Sequence, residues 1–109
     1  MLASNESKYD DALFWAQKAQ GLAPANPVVE DTIGWIYYKQ GKYEAALPCL
    51  EKSLKALDRP LAHYHLAGAL LKVGDAARAR KEYEIALRED PKSEARGAVG
   101  PLFERVAGR

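Results

Sequence analysis

Residues 34–54 read GWIYYKQGKYEAALPCLEKSL, and the order of small, aromatic and chain-breaking residues in this stretch decides the fold. Just upstream and within it, Val29, Ile33, Ile36 and Tyr37 recur at steps of three and four, which places them on one stripe of a helix. Asn26 before Pro27 supplies that helix with an N-cap and a first-turn proline. Downstream, Tyr43, Ala46, Leu47, Leu50, Leu54 and Leu57 make a second stripe from Lys42 to about Leu57. Gly41 stands between the two, free to adopt the backbone that a tight turn requires. The stretch is a helix, a turn and a second helix.

The unit recurs on both sides. Ser7 to Leu13 precedes Gly41 to Leu47 with the same order of turn, Lys-Tyr, acidic residue, Ala and Leu, and a worn copy follows from Gly74 to Arg80. Ala12 to Ala46 is a step of 34 residues and Ala46 to Ala79 a step of 33. Pro24, Asp58 and Pro91 close the three segments at the same period. In the third unit Pro60 to Val73 turns Leu66, Leu70 and Val73 inward, and Asp75 to Glu89 turns Ala79, Tyr83, Ala86 and Leu87 inward. Alanine at 12, 46, 79 and 86 lets paired helices approach closely. A fixed period of this length is the signature of stacked repeats.

Composition agrees. Of 109 residues, 19 are Ala and 13 Leu, against 5 Val and 3 Ile, which favours helices over strands. Lys plus Arg number 16 and Asp plus Glu 15, so the net charge is +1 and nucleic acid or acidic membrane is not the expected partner. Cys49 is the single cysteine, which removes an internal disulfide and every multi-cysteine metal site. No apolar run approaches the roughly 20 residues of a membrane span, so no membrane insertion is expected. MLASNESKYDD lacks the basic and apolar regions of a signal peptide. Cytoplasm and periplasm both remain open.

On these residues the chain resembles the tetratricopeptide repeat family. The family pattern places Trp, Leu-Gly and Tyr on a first helix, then Ala, an aromatic four residues on and a closing Pro. Here the second unit holds Glu30, Ile33-Gly34, Tyr37, Ala46, Leu50 and Asp58, and the third holds His63, Leu66-Ala67, Leu70, Ala79, Tyr83 and Pro91. The resemblance covers about residues 7–93 and implies an all-α fold, a right-handed α-solenoid of antiparallel helix pairs. Residues 1–109 form a single domain in this reading: 7–26 a partial repeat with only its second helix, 27–59 and 60–93 two repeats, and 94–109 a C-terminal capping helix. The block DTIGWIYYKQGKYEAAL is also similar to the last repeats of long bacterial members of the family, some of which serve envelope and polysaccharide assembly.

The ends depart from the pattern. The half-unit from about Lys8 to Leu22 leaves Leu13, Phe14 or Trp15, and Ala16 without the helix that normally covers them, and residues 1–6 are at most the tail of such a helix. Either the chain is the C-terminal piece of a longer array or another chain supplies the cover. Ser93 to Ala107 closes the stack with Ala95, Val99, Leu102, Phe103 and Val106 apolar, and Pro101 predicts a kink or two short helices.

Little in the sequence points to chemistry. His63 and His65 lie two apart, about 200° around a helix, so they cannot share a metal ion. They are expected to pack between helices or at the surface. Cys49 lacks a neighbouring base, Pro48 bends its helix, and the scattered glycines form no phosphate loop. Glu51 with Lys55 and Arg78 with Glu82 suggest solvated ion pairs along helices. No enzyme, no cofactor and no metal is expected.

The resemblance implies that first helices line a concave groove, through Val28, Asp31, Trp35, Tyr38 and Lys39 on one unit and Leu61, Tyr64, Gly68, Leu71 and Lys72 on the next. The carboxylate clamp of chaperone-tail-binding members is absent. From the residues alone, Trp35, Tyr38 and Tyr64 lie off the buried stripes beside Lys39 and Lys72, flat apolar area next to cations. The expected partner surface is Asp31, Trp35, Tyr38, Lys39, Tyr64, Leu71 and Lys72, holding a partner peptide or helix. Self-association through Leu13, Phe14 and Trp15 is the alternative.

Overall fold

The computed structural model describes the backbone of residues 2–107 and the side chains of residues 7–103. Six helices follow one another among these residues: α1 Leu2–Leu22, α2 Pro27–Lys39, α3 Tyr43–Ala56, α4 Pro60–Lys72, α5 Ala76–Glu89 and α6 Glu94–Ala107. α2 packs on α3 and α4 on α5, each pair joined by a tight turn; α3 packs on α4, α1 on α2 and α6 on α4. The fold is all-α, a stack of helix pairs.

The turns follow from their residues. Gly41 and Gly74 take φ of 83° and 99°, where a side chain would strain the backbone. Around Gly41, the amides of Gly41 and Lys42 donate to the carbonyls of Tyr38 and Tyr37 at 3.0 and 2.8 Å, and Gly74 and Asp75 repeat the pattern on Leu71 and Leu70. The Asn26 carboxamide oxygen accepts from the Val28 amide at 2.9 Å and the Asp75 carboxylate from the Arg78 amide at 3.2 Å, so both helices are capped at their starts.

The central core joins Ala46 and Leu50 of α3 to Leu66, Ala67, Ala69 and Leu70 of α4, Ala79 of α5 and Phe103 of α6. Close approach is built in at Gly34, where a Cβ would meet the Leu50 side chain at 2.7 Å. Ala46, Ala79 and Ala86 are fully buried, as their small size requires. Ala12 is exposed instead, because no described helix stands against it as α2 stands on Ala46. α1 is continuous from Leu2, so residues 2–7 extend this helix and are not the tail of another; Met1 lies outside the described residues. Leu13 and Ala16, expected to be uncovered, pack on Ile33 and Ile36 of α2.

Further expectations are corrected. Val73 and Leu57 are not inward; each is the C-cap residue of its helix, 36% and 45% exposed. Of the two outcomes expected at Pro101, two short helices do not form, since α6 runs through it from Glu94 to Ala107, and Pro48 likewise lies inside α3. Both prolines sit on exposed faces, as do Glu44 and Gly97 one turn earlier, where water can take the carbonyls left without a donor. The Arg78 guanidinium donates to Glu51 of α3 at 2.8 Å, so that pair ties α3 to α5 rather than running along one helix.

Candidate functional site

α4 is the central helix: every residue from Ala62 to Leu70 is buried. Leu61 and His65 lie on it four residues apart, Leu61 half-buried and His65 6% exposed. A recess of about 270 Å³ opens there, lined by Trp35 and Lys39 of α2, Leu61 and His65 of α4, and Glu94, Ala95 and Ala98 of α6. Two first helices and the capping helix therefore share one surface.

Trp35 and His65 of this lining belong to a stack of three rings. Trp35 lies parallel to Tyr38 with centroids 4.4 Å apart and to His65 with centroids 4.0 Å apart. Two rings so close to the indole centre cannot share a face without overlapping, so they cover opposite faces of Trp35. The Lys39 ammonium stands 5.4 Å from the Trp35 centroid. Tyr38 in turn meets Tyr43 edge-on at 5.3 Å, and burial, then the Tyr43 hydroxyl, push the Tyr38 phenol up from its ordinary value.

Asp31 holds the stack from beneath. Both carboxylate oxygens lie 2.9–3.0 Å from His65 Nδ1, and Arg59 Nη2 stands 3.7 Å away. An ionised carboxylate only accepts, so Nδ1 carries the proton and donates. No described residue bonds His65 Nε2, and the ring lines the recess.

The expected partner residues divide accordingly. Trp35 and Lys39 line the recess with Leu61, and Tyr38 and Asp31 support it. Tyr64 does not: it is fully buried against Ala86, Ala95 and Val99, and its hydroxyl donates to the Asp90 carbonyl at 2.6 Å. Gly68 is likewise covered, since a Cβ there would meet Val99 Cγ1 at 2.9 Å. The physical reason is α6, which lies on the face of α4 that these residues present. Leu71 packs on the central core. Lys72 lies apart, its ammonium 5.8 Å from the Tyr43 ring, in a separate open depression of about 520 Å³ beside the Gly41 turn. His65, Glu94 and Ala98 were missed; the spacing of Leu61 and His65, one turn apart, was the available signal.

His63 forms a second cluster. Its Nδ1 lies 2.5 Å from Glu82 and its Nε2 2.7 Å from Asp58, and ligand atoms of Asp58, His63 and Glu89 all fall within 4.8 Å of one another. Sequence spacing did not suggest this gathering, which joins the turn before α4 to α5. With a carboxylate at each nitrogen, His63 satisfies both only as an imidazolium. Burial pulls its pKa down, but the bonds to Glu82 and Asp58 and their charges outweigh it, and the net shift is upward. At Cys49, burial, then the Glu30 carboxylate, push the thiol up, with Lys52 pulling it down; few thiolates form at neutral pH.

No helix among the described residues is long and apolar enough to cross a membrane. The tetratricopeptide repeat family model matches residues 32–94, more than half of the chain. No curated protein matches the sequence. Repeats of this kind generally mediate protein–protein interaction.

Proposed function

We propose that this chain, which belongs to the tetratricopeptide repeat family, holds a segment of a partner protein in the recess shared by α2, α4 and α6. The observation that carries the reading is the buried Asp31–His65 pair. Taking a carboxylate out of water costs several kcal/mol unless it is well paired, and helix packing alone does not require one here. What the pair achieves is to hold the imidazole, itself 6% exposed, flat on Trp35 in the wall of the recess. Trp35, Leu61 and His65 then offer a small apolar seat with one free imidazole nitrogen. Lys39 and Glu94 at its rim favour a segment with an acidic residue near one and a basic residue near the other. Opposed charges at the rim and a net charge of +1 argue for protein over nucleic acid. The reading includes no chemical step.

The test is selection of peptides from a random displayed library on the folded chain. Selected peptides are expected to lose about tenfold or more in affinity on Trp35→Ala or His65→Ala, as for central anchors, and to keep it on Trp15→Ala. Peptides indifferent to Trp35 and His65 would place binding elsewhere.

A second reading, assembly through α1, is favoured by a separate observation: Phe14, Trp15 and Leu22 are 53%, 65% and 89% exposed on one helix.

A further inference from the structure

α1 is apolar on two opposite sides. Tyr9, Leu13 and Ala16 face α2 and pack on Ile33 and Ile36. On the far side Asp11, Phe14, Trp15, Lys18 and Leu22 are all exposed, and at 100° per residue they fall within an arc of about 100°. Within this stripe the Phe14 and Trp15 rings meet edge-on at 5.3 Å, and the Lys18 ammonium lies 5.2 and 5.7 Å from their centroids.

The repeat shows how much of this face the stack covers. One period on, the same face of α3 carries Ala45, Pro48, Cys49, Lys52 and Ala56, all exposed except half-buried Cys49. One period further, α5 carries exposed Arg78, Lys81 and Glu89 there, with Ile85 half-buried and the Glu82 side chain, 14% exposed, bonded to His63 of α4. At the position of Trp15 the equivalent Cys49 and Glu82 pack on α2 and α4, while most of the remaining face is exposed; α1 places exposed Phe14, Trp15 and Leu22 there instead. Exposed apolar area of this kind marks an interaction surface.

We propose that the occupant is α1 of a second copy of this chain, paired antiparallel about a two-fold axis between Phe14 and Trp15. The inference rests on the reading of α1 as an assembly helix and names its partner and register. An isologous contact requires that if residue i meets j, then j meets i. About this axis Trp15 meets Phe14 of the second copy, Asp11 meets Lys18, and Leu22 meets Ser7. Each apolar group meets an apolar or small one and each exposed charge on the stripe meets its opposite. Ala12 and Ala19 flank the stripe and leave room for close approach. A single helix pair lies at the small end of specific interfaces, so the dimer is weak and concentration-dependent.

The experiment is sedimentation equilibrium of the full chain from about 1 μM to 1 mM, spanning weak association. A monomer–dimer equilibrium is expected, weakened roughly tenfold by Asp11→Lys or Lys18→Asp alone, since the axis makes each change count twice. The double variant D11K/K18D restores it. Circular dichroism checks that these exposed substitutions leave the helices intact. A dimer abolished by Trp15→Glu but indifferent to the charge changes would overturn the antiparallel register while keeping α1 as the docking face. A strict monomer at 1 mM, or a dimer that survives Trp15→Glu, would overturn the proposal and the assembly reading together.

Discussion

Asp31 of α2 and His65 of α4, 34 residues apart in the chain, are joined by a hydrogen bond of 2.9 Å in which both partners are buried. The bond crosses the junction between two repeats and fixes a ring that lines the recess.

Removing one partner leaves the other buried without its bond. Asp31→Ala is expected to cost about 2–4 kcal/mol of stability, read by urea denaturation. In the Asp31→Ala background, His65→Ala should cost less than it does alone, with a coupling of about 1–3 kcal/mol. Additive losses would show that the pair does not act as a unit.

Gly68 is where α4 and α6 touch. With Val99 Cγ1 2.9 Å from where its Cβ would stand, Gly68→Ala is expected to destabilise by about 1–3 kcal/mol through overpacking. Val99→Ala opens that space, so the double variant should lose less than the two single losses added together. Thermal melts of the four proteins decide it.

His63 makes stability depend on pH. Its folded pKa is raised, so its contribution is fully present below the unfolded value of about 6.5 and lost as pH rises through the folded value. Denaturation midpoints should therefore fall as pH rises above about 6.5, and fall less in His63→Gln. An equal slope in the variant would contradict the assignment.

Cys49 should be a slow nucleophile. With its thiol pushed up by burial and Glu30, labelling by a thiol reagent at pH 7 is expected to run about tenfold or more slower in the folded chain than in denaturant. Equal rates would mean that the thiol is neither buried nor shifted.

The repeat, its turns and its caps were legible because each is local: Gly41 and Gly74 punctuate the sequence at the points where φ turns positive, and Asn26 precedes a proline. Ala46, Leu50 and Ala79 showed the core through spacing alone. The site was legible on α2, where Trp35 and Lys39 stand off the buried stripe, and at Leu61, which the resemblance placed in the groove. Tyr64 and Gly68 were misread because their burial depends on α6 folding back over α4, a contact that no period in α4 records. The pairs of Asp31 with His65 and of His63 with Glu82 stayed invisible because they join different helices, and charge gives no register between helices.

The two tryptophans mark the two surfaces, Trp35 at the recess and Trp15 on α1. Their indole N–H signals in a heteronuclear NMR titration with a library-selected peptide test the central claim most directly. The account predicts that the Trp35 signal moves in proportion to bound peptide while the Trp15 signal stays in place. A Trp15 signal that moves while Trp35 does not would contradict it.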